Sequence, residues 1–120
     1  MPTPKVYDSE YKFCQILWAN EPVKSRELVR LCQEQLGWKS TTTYTVIKRL
    51  SQRGVLKNED TIVTSLISKE EAQKARLEEM MEETFEGSMP AFLAAFSKSK
   101  RLSKSDVEQL QAMIDSYQEE

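Results

Sequence analysis

The sequence contains no histidine, the side chain that most often serves as a general base or a metal ligand. Its three glycines, Gly37, Gly54 and Gly87, are isolated from one another, so no glycine-rich phosphate-binding loop can form. Serines and threonines are plentiful, but no histidine is present to activate them, and neither cysteine has a histidine partner. We therefore predict a protein that is not an enzyme and that carries no cofactor and no metal.

Long apolar runs are also missing, since no stretch approaches the ~18 to 20 apolar residues of a membrane-spanning helix. Residues 1–7 hold two prolines, one lysine and no apolar run, which is not the composition of a secretory signal. The two cysteines, Cys14 and Cys32, lie in segments with helical patterning. These features predict a cytoplasmic protein without membrane insertion and with two reduced core thiols; a disulfide is the alternative.

The net charge of −2 hides an uneven distribution along the chain. Residues 1–67 carry ten basic and seven acidic side chains, whereas residues 68–120 carry seven basic and twelve acidic ones. Between Trp38 and Lys57 there are five basic residues and no acidic one. Because a polyanion docks where the local charge is positive, this distribution predicts a DNA-facing first half and an acidic second half that stays off the DNA.

Apolar residues at helical spacing predict two helices in the first third of the chain. The first runs from a cap at Asp8 or Ser9 to about Asn20. The second begins at a cap formed by Ser25 and stops before Gly37.

A third helix is predicted from about Ser40 to Arg53. With about 100° between successive residues, one side of this helix is directed to the core. The residues of that side are Thr43, Val46, Ile47 and Leu50. The other side, with its flanks, holds short polar side chains and cations but no carboxylate: Thr41, Thr42, Tyr44, Thr45, Lys48, Arg49 and Gln52. A solvated helix face usually mixes both signs of charge, so this pattern favours an anion-binding surface.

Two short segments rich in β-branched residues, Val55 to Lys57 and Ile62 to Ile67, predict a hairpin after the third helix. Three helices followed by a hairpin form the winged-helix pattern. The predicted fold class is therefore mainly α with a small β-hairpin wing. It comprises a winged helix-turn-helix DNA-binding domain over residues 1–67 and a C-terminal helical dimerisation region over residues 68–120.

Residues 68–120 predict three amphipathic helices that bury little surface alone. We expect the apolar stripes of two chains to interlock in a homodimer. The residues expected at this interface are Leu77, Met81, Phe85, Phe92, Phe96, Val107, Leu110 and Ile114. The alternative is that the stripes fold back on the first domain.

Several short segments occur along the chain in the same order as in a known protein family. They are Leu17-Trp18, Trp38 to Thr42, Lys48 to Leu50 and Gly54 to Leu56, and residues 42–54 read T-T-Y-T-V-I-K-R-L-S-Q-R-G. In these segments, and over a span from about Ser9 to Ile114, the sequence resembles the penicillinase-repressor family. That family comprises winged-helix repressors of β-lactamase, methicillin-resistance and copper-transport genes.

The resemblance implies a transcriptional repressor, bound as a homodimer to a dyad-symmetric operator, with recognition helices in successive major grooves roughly 34–36 Å apart. In the β-lactam-responsive members a membrane sensor protease releases repression by cutting the dimerisation region, so the resemblance also points to such a protease as a partner. The segment that matches the cleavage site is Ala95-Phe96, where the best-known members have asparagine before the cut. Copper-responsive members carry a C-terminal Cys-x-Cys pair, and this chain has none, so no copper is expected. The sequence also gives no sign of a small-molecule ligand.

We expect Tyr44, Thr45 and Lys48 to contact base edges, because threonine offers a hydroxyl and a methyl group and lysine reaches guanine acceptors. The residues expected to contact phosphates are Lys39, Thr41, Thr42, Arg49 and Arg53. For Arg49 an ion pair with a second-helix carboxylate such as Glu27 or Glu34 is the alternative.

A second function of a different class also fits the sequence. A winged helix can serve as a protein–protein interaction module without DNA binding, and the acidic second half could then be its partner-binding surface. Salt-dependent DNA binding would separate the two functions, since only a protein that contacts several phosphates has it.

Overall fold

The computed structural model describes residues 3–99 and 101–117. Over these residues the chain forms six helices and three short strands. In chain order they are α1 (Asp8–Asn20), β1 (Val23–Lys24), α2 (Ser25–Leu36), α3 (Ser40–Arg53), β2 (Leu56–Glu59), β3 (Ile62–Ser65), α4 (Lys69–Phe85), α5 (Met89–Ser99) and α6 (Lys104–Ser116). The predicted class, mainly helical with a small antiparallel sheet in a winged helix, is confirmed.

Two helices begin one or two residues earlier than predicted. Asp8 is the first residue of α1, and the Tyr7 backbone N–H donates to Oε1 of Glu10 at 3.0 Å. Ser25 is the first residue of α2 and not its cap, and its backbone N–H donates to the Thr61 carbonyl at 2.8 Å. This hydrogen bond joins the start of α2 to the turn of the hairpin.

The core of the first unit lies between α1, α2 and α3. Its fully buried side chains include Phe13 and Leu17 on α1 and Leu28 on α2. Burial of each such side chain stabilises the folded state by about 1.5–3 kcal/mol relative to leaving it in water. The four residues predicted on the inner side of α3 are all buried, which confirms the rotation of this helix: Thr43, Val46, Ile47 and Leu50.

Two tryptophans pack against the edge of this core. The Trp38 ring, in the α2–α3 connection, stacks on Phe13 with their centroids 6.2 Å apart. The Trp18 indole N–H donates to the Ile67 carbonyl at 3.1 Å and so joins α1 to the chain beyond β3. The connection itself starts at Gly37, whose φ of 71° is the left-handed conformation that glycine adopts without strain.

The strands form one antiparallel sheet in the order β1-β3-β2. The predicted hairpin is present, and Glu59 pairs with Ile62 across a turn in which Asp60 and Thr61 have φ values of 53° and 66°. Both positive values belong to a two-residue hairpin turn of the kind that matches strand twist. The sequence did not predict β1, because a strand of two residues has no measurable periodicity.

The chain divides into two compact units, Met1–Glu79 and Met80–Glu120. The first unit includes the beginning of α4, where Ala72 is buried in the core and Arg76 bonds to Asp8 at 2.7 Å. The predicted functional boundary between residues 67 and 68 stays a prediction.

The second unit has a cluster of three phenylalanine rings. Phe85 and Phe92 lie 5.6 Å apart, and Phe92 and Phe96 lie 6.0 Å apart, measured between centroids. Ser103 caps α6 by accepting from the Asp106 N–H at 3.0 Å. None of the residues of α5 or α6, all of which the structure describes, is buried.

Candidate nucleic-acid interface

The outward side of α3 presents the three residues predicted to contact bases. Tyr44 is 48% exposed, and Thr45 and Lys48 are exposed beside it. Their positions are fixed because the opposite side of the helix is buried in the core. The structure thus brings the three predicted base contacts onto one accessible surface.

The Thr45 hydroxyl has a local partner. It donates to the Thr41 carbonyl one turn earlier on α3, at 2.8 Å. In this rotamer the hydrogen is engaged, so the hydroxyl lone pairs and the methyl group are what Thr45 offers to solvent. A thymine methyl or a base amino group fits that surface.

An open groove of about 410 Å³ lies along the first turns of α3. Three of the five residues predicted to contact phosphates line it, namely Thr41, Thr42 and Arg49. Ser9, at the start of α1, also lines the groove and was not predicted. Hydroxyl groups, the start of a helix and a guanidinium are groups that favour an anion.

Lys39 and Arg53 do not line that groove. Lys39 directly precedes α3 and is exposed. Arg53 is in the last turn of α3, with a side chain only 27% exposed. The structure therefore gives the two residues very different access to a ligand.

Glu10 of α1 binds both arginines of α3. Its side chain is 2% exposed, and its Oε1 accepts from Arg53 Nη1 at 2.6 Å. Its Oε2 accepts from Arg53 Nη2 at 3.1 Å and from Arg49 Nε at 2.9 Å. Arg53 Nη1 also donates to the Lys5 carbonyl at 2.9 Å, and its guanidinium lies 5.1 Å from the centre of the Tyr7 ring.

Burial raises the pKa of the Glu10 carboxyl, but hydrogen bonds from Arg53, the Tyr7 backbone and Arg49 lower it by more. The pKa of Glu10 consequently lies below its ordinary value of 4.5. A buried carboxylate with these donors is ionised at neutral pH, and its charge offsets part of the positive charge of α3.

The alternative proposed for Arg49, an ion pair with a carboxylate of α2, is wrong in its partner. An ion pair does form, but with Glu10 on α1 and not with Glu27 or Glu34 on α2. Those two carboxylates bond instead to Arg30, which lies within one turn of each on the same helix. Glu10 could have been suspected from its position, because it precedes Phe13, Cys14 and Leu17 on the apolar side of α1, where an acid requires a partner.

The tip of the wing is acidic. Glu59 and Asp60 are exposed, and Lys57 Nζ lies 3.8 Å from Glu59 Oε2. Carboxylates at this tip reduce its attraction to phosphate.

The residues predicted for dimerisation and cleavage lie on α4, α5 and α6. Leu77, Phe96, Val107 and Ile114 are between 36% and 61% exposed, while Met81 is 8% exposed. The other three, Phe85, Phe92 and Leu110, are half-buried. Ala95-Phe96 lies inside α5 and not in a connecting loop.

Three packed helices, a hairpin wing and an exposed third helix define a winged-helix protein of the helix-turn-helix type. The penicillinase repressor family model matches residues 7–116, nearly the whole chain. The chain belongs to the penicillinase repressor family. This is a family of transcriptional regulators and not of enzymes, and its repressor function implies DNA as a partner.

One similar protein from Latilactobacillus sakei carries the name uncharacterized 16.5 kDa protein in ptsI 3'region. It is 29% identical over 116 residues, which cover 93% of this chain and 80% of that protein. Within the residues that the structure describes, no helix is long and apolar enough to cross a membrane.

Proposed function

We propose that the protein represses transcription by binding a dyad-symmetric operator as a homodimer, with α3 of each protomer in the major groove. The observation that carries this proposal is the outward side of α3, where Tyr44, Thr45 and Lys48 are exposed and no carboxylate is present. A helix of this kind can enter the major groove, while its buried side stays on the core.

Four residues are proposed to hold phosphates, because they are exposed on or directly before α3 and three of them line one groove. They are Lys39, Thr41, Thr42 and Arg49. Such contacts position the protein without specifying sequence. Arg53, which was also predicted to contact phosphate, is left out of this set, because both of its terminal amino groups bond within the protein.

Dimerisation through the second unit is supported by the exposure of its apolar residues. Val107, Met113 and Ile114 of α6 are between 52% and 66% exposed in the single chain, and Tyr117 is 75% exposed. Covering this surface with a second copy would remove it from water, as closed dimers do.

A membrane sensor protease could release the repressor by cutting Ala95-Phe96, but this cleavage requires α5 to unfold locally first. Both residues are exposed, but they lie in the interior of α5, where the backbone is helical. A protease needs an extended segment, and α5 is helical at Ala95-Phe96.

We also propose that the protein is located in the cytoplasm, because its proposed partner is DNA.

The test is a selection of duplexes from a random-sequence library, followed by sequencing. We expect enriched sequences to contain two inverted half-sites whose centres are about 10 to 10.5 base pairs, or a multiple of this, apart. Lys48→Ala should relax the enriched sequence at one position per half-site, and Lys74→Ala, which removes an equal charge from α4, should not. Absence of any enriched duplex would favour the protein–protein interaction module.

A further inference from the structure

Arg49 and Arg53 lie one turn apart on α3 and share the buried carboxylate of Glu10, but they use it differently. Arg53 donates from both Nη1 and Nη2 and is 27% exposed. Arg49 donates from Nε and is 48% exposed. Among the residues that the structure describes, no hydrogen bond from Nη1 or Nη2 of Arg49 is found. The side chain is therefore held at its inner end while its terminal amino groups are available.

We infer that Glu10 is a positioning residue for DNA binding: it fixes Arg49 by Nε, so that Nη1 and Nη2 can bind a phosphate, and it retains Arg53 inside the protein. The inference rests on the proposed function, and it adds a carboxylate of α1 to a site otherwise made of hydroxyls and cations. It also divides two arginines that the sequence does not distinguish into one phosphate ligand and one structural residue.

The physical reason is the cost of ordering a long side chain. A free arginine loses rotamer freedom when it binds, whereas one already bonded at Nε has lost part of that freedom on folding. The planar guanidinium makes this possible, because Nε can face Glu10 while the opposite edge faces outward. Arg49 lines the same groove as Thr41 and Thr42, so a phosphate bound in this groove would lie among two hydroxyl groups and a guanidinium.

The inference is testable because it predicts whether removing the Glu10 charge strengthens or weakens DNA binding. Glu10 is a negative charge next to a proposed DNA-binding surface, so electrostatics alone predicts that its removal strengthens DNA binding. A positioning role predicts the opposite. A role in folding alone predicts no change in affinity once the variant is folded.

The experiment compares the wild type, Glu10→Gln and Glu59→Gln by fluorescence anisotropy with a labelled duplex over a series of KCl concentrations. Circular dichroism first confirms that each variant is folded at the temperature used. We expect Glu10→Gln to weaken binding by about 2- to 12-fold per protomer, the equivalent of leaving one side chain to be ordered on binding. Glu59→Gln, which removes the same charge from the wing, should bind as well as the wild type or better.

Arg49→Ala tests the phosphate contact directly, because the salt dependence of binding changes only if the substituted residue contacts DNA. We expect it to reduce the magnitude of the slope of log Kd against log salt by about one per protomer, because one phosphate contact is lost. Arg53→Ala should leave this slope unchanged. In the double variant, Glu10→Gln should cause no further loss of affinity beyond that of Arg49→Ala, because it acts through Arg49. These two arginine variants test the inference even if Glu10→Gln does not fold.

The inference is overturned if the folded Glu10→Gln binds as tightly as the wild type or more tightly, or if Arg49→Ala leaves the salt slope unchanged. Equal slope changes for Arg49→Ala and Arg53→Ala would also overturn it. In each of these cases the wild type still binds DNA and the proposed function stands. If the wild type shows no salt-dependent binding to any duplex, the proposed function fails and the inference fails with it.

Discussion

Arg53 and Glu10 face each other at the junction of α3 and α1, with Nη1 2.6 Å from Oε1 and Nη2 3.1 Å from Oε2. This two-point contact joins the last turn of α3 to the first turn of α1, although the residues are 43 positions apart in sequence. Because the carboxylate is buried, removing it leaves two arginines without their partner. The orientation of α3 and the stability of the first unit therefore depend on the same group.

Stability should depend on pH through Glu10. Its pKa is lowered in the folded protein, so the contribution of the ionised form is complete above the ordinary value of 4.5 and is lost as pH falls through the folded value. At pH 7 we expect Glu10→Gln to lower the free energy of unfolding by about 1.5–3 kcal/mol, as for hydrogen bonds to charged groups. Urea unfolding at neutral and acidic pH measures this.

The difference between Glu10→Gln and the wild type should shrink on acidification below 4.5. Glu59→Gln is the control, since an exposed pair contributes little at any pH. A difference that stays constant from neutral to acidic pH would show that the charge of Glu10 does not stabilise the fold.

Substitutions of Lys48 and Arg49 should have different effects on the sequence specificity of DNA binding. We expect Lys48→Ala to weaken binding to the selected operator by about 1–3 kcal/mol with a smaller loss on a scrambled duplex, because a base contact is removed. Arg49→Ala should weaken both duplexes by the same factor. Anisotropy titrations on both duplexes, with Lys74→Ala as the charge control, decide this; equal losses for both variants on both duplexes would contradict the assignment.

The thiols should be unreactive in the folded protein. Burial, with a smaller effect from the charge of Glu10, raises the pKa of Cys14 to about 12, and burial also raises the pKa of Cys32. Little thiolate is then present at pH 8, and thiolate is the reactive form. We expect a thiol-specific reagent to label neither cysteine quickly in buffer and both in urea. Rapid labelling under native conditions would mean that the α1–α2 packing opens.

The helix α3 shows why part of the fold could be predicted. Its bounds and its four buried residues follow from local apolar spacing and from Gly54, which ends it with a φ of 86°. The pairing of Glu10 with Arg49 and Arg53 could not be predicted, because it joins residues far apart in sequence and depends on how α1 packs on α3. The strand β1 was missed for a related reason, since Val23 is in a strand only because Val63 lies opposite.

Dimerisation can be tested with one charge on each side of α6. Ile114 is 61% exposed on the apolar stripe, whereas Ala112 is exposed on the other side of the helix at about 100° per residue. We expect Ile114→Asp to be a monomer by analytical ultracentrifugation at micromolar concentration and Ala112→Asp to remain a dimer. A wild type that sediments as a monomer would remove the homodimer from the proposal.

The most direct measurement is the salt dependence of DNA binding by the wild type. With four phosphate-contacting residues on each of two protomers, affinity should fall by about 10³- to 10⁵-fold between roughly 50 and 200 mM salt. A steep linear fall of log affinity with log salt concentration is the expected result. Absence of binding, or binding that salt does not change, would contradict the assignment of α3 as a DNA-reading helix and favour a protein-binding winged helix.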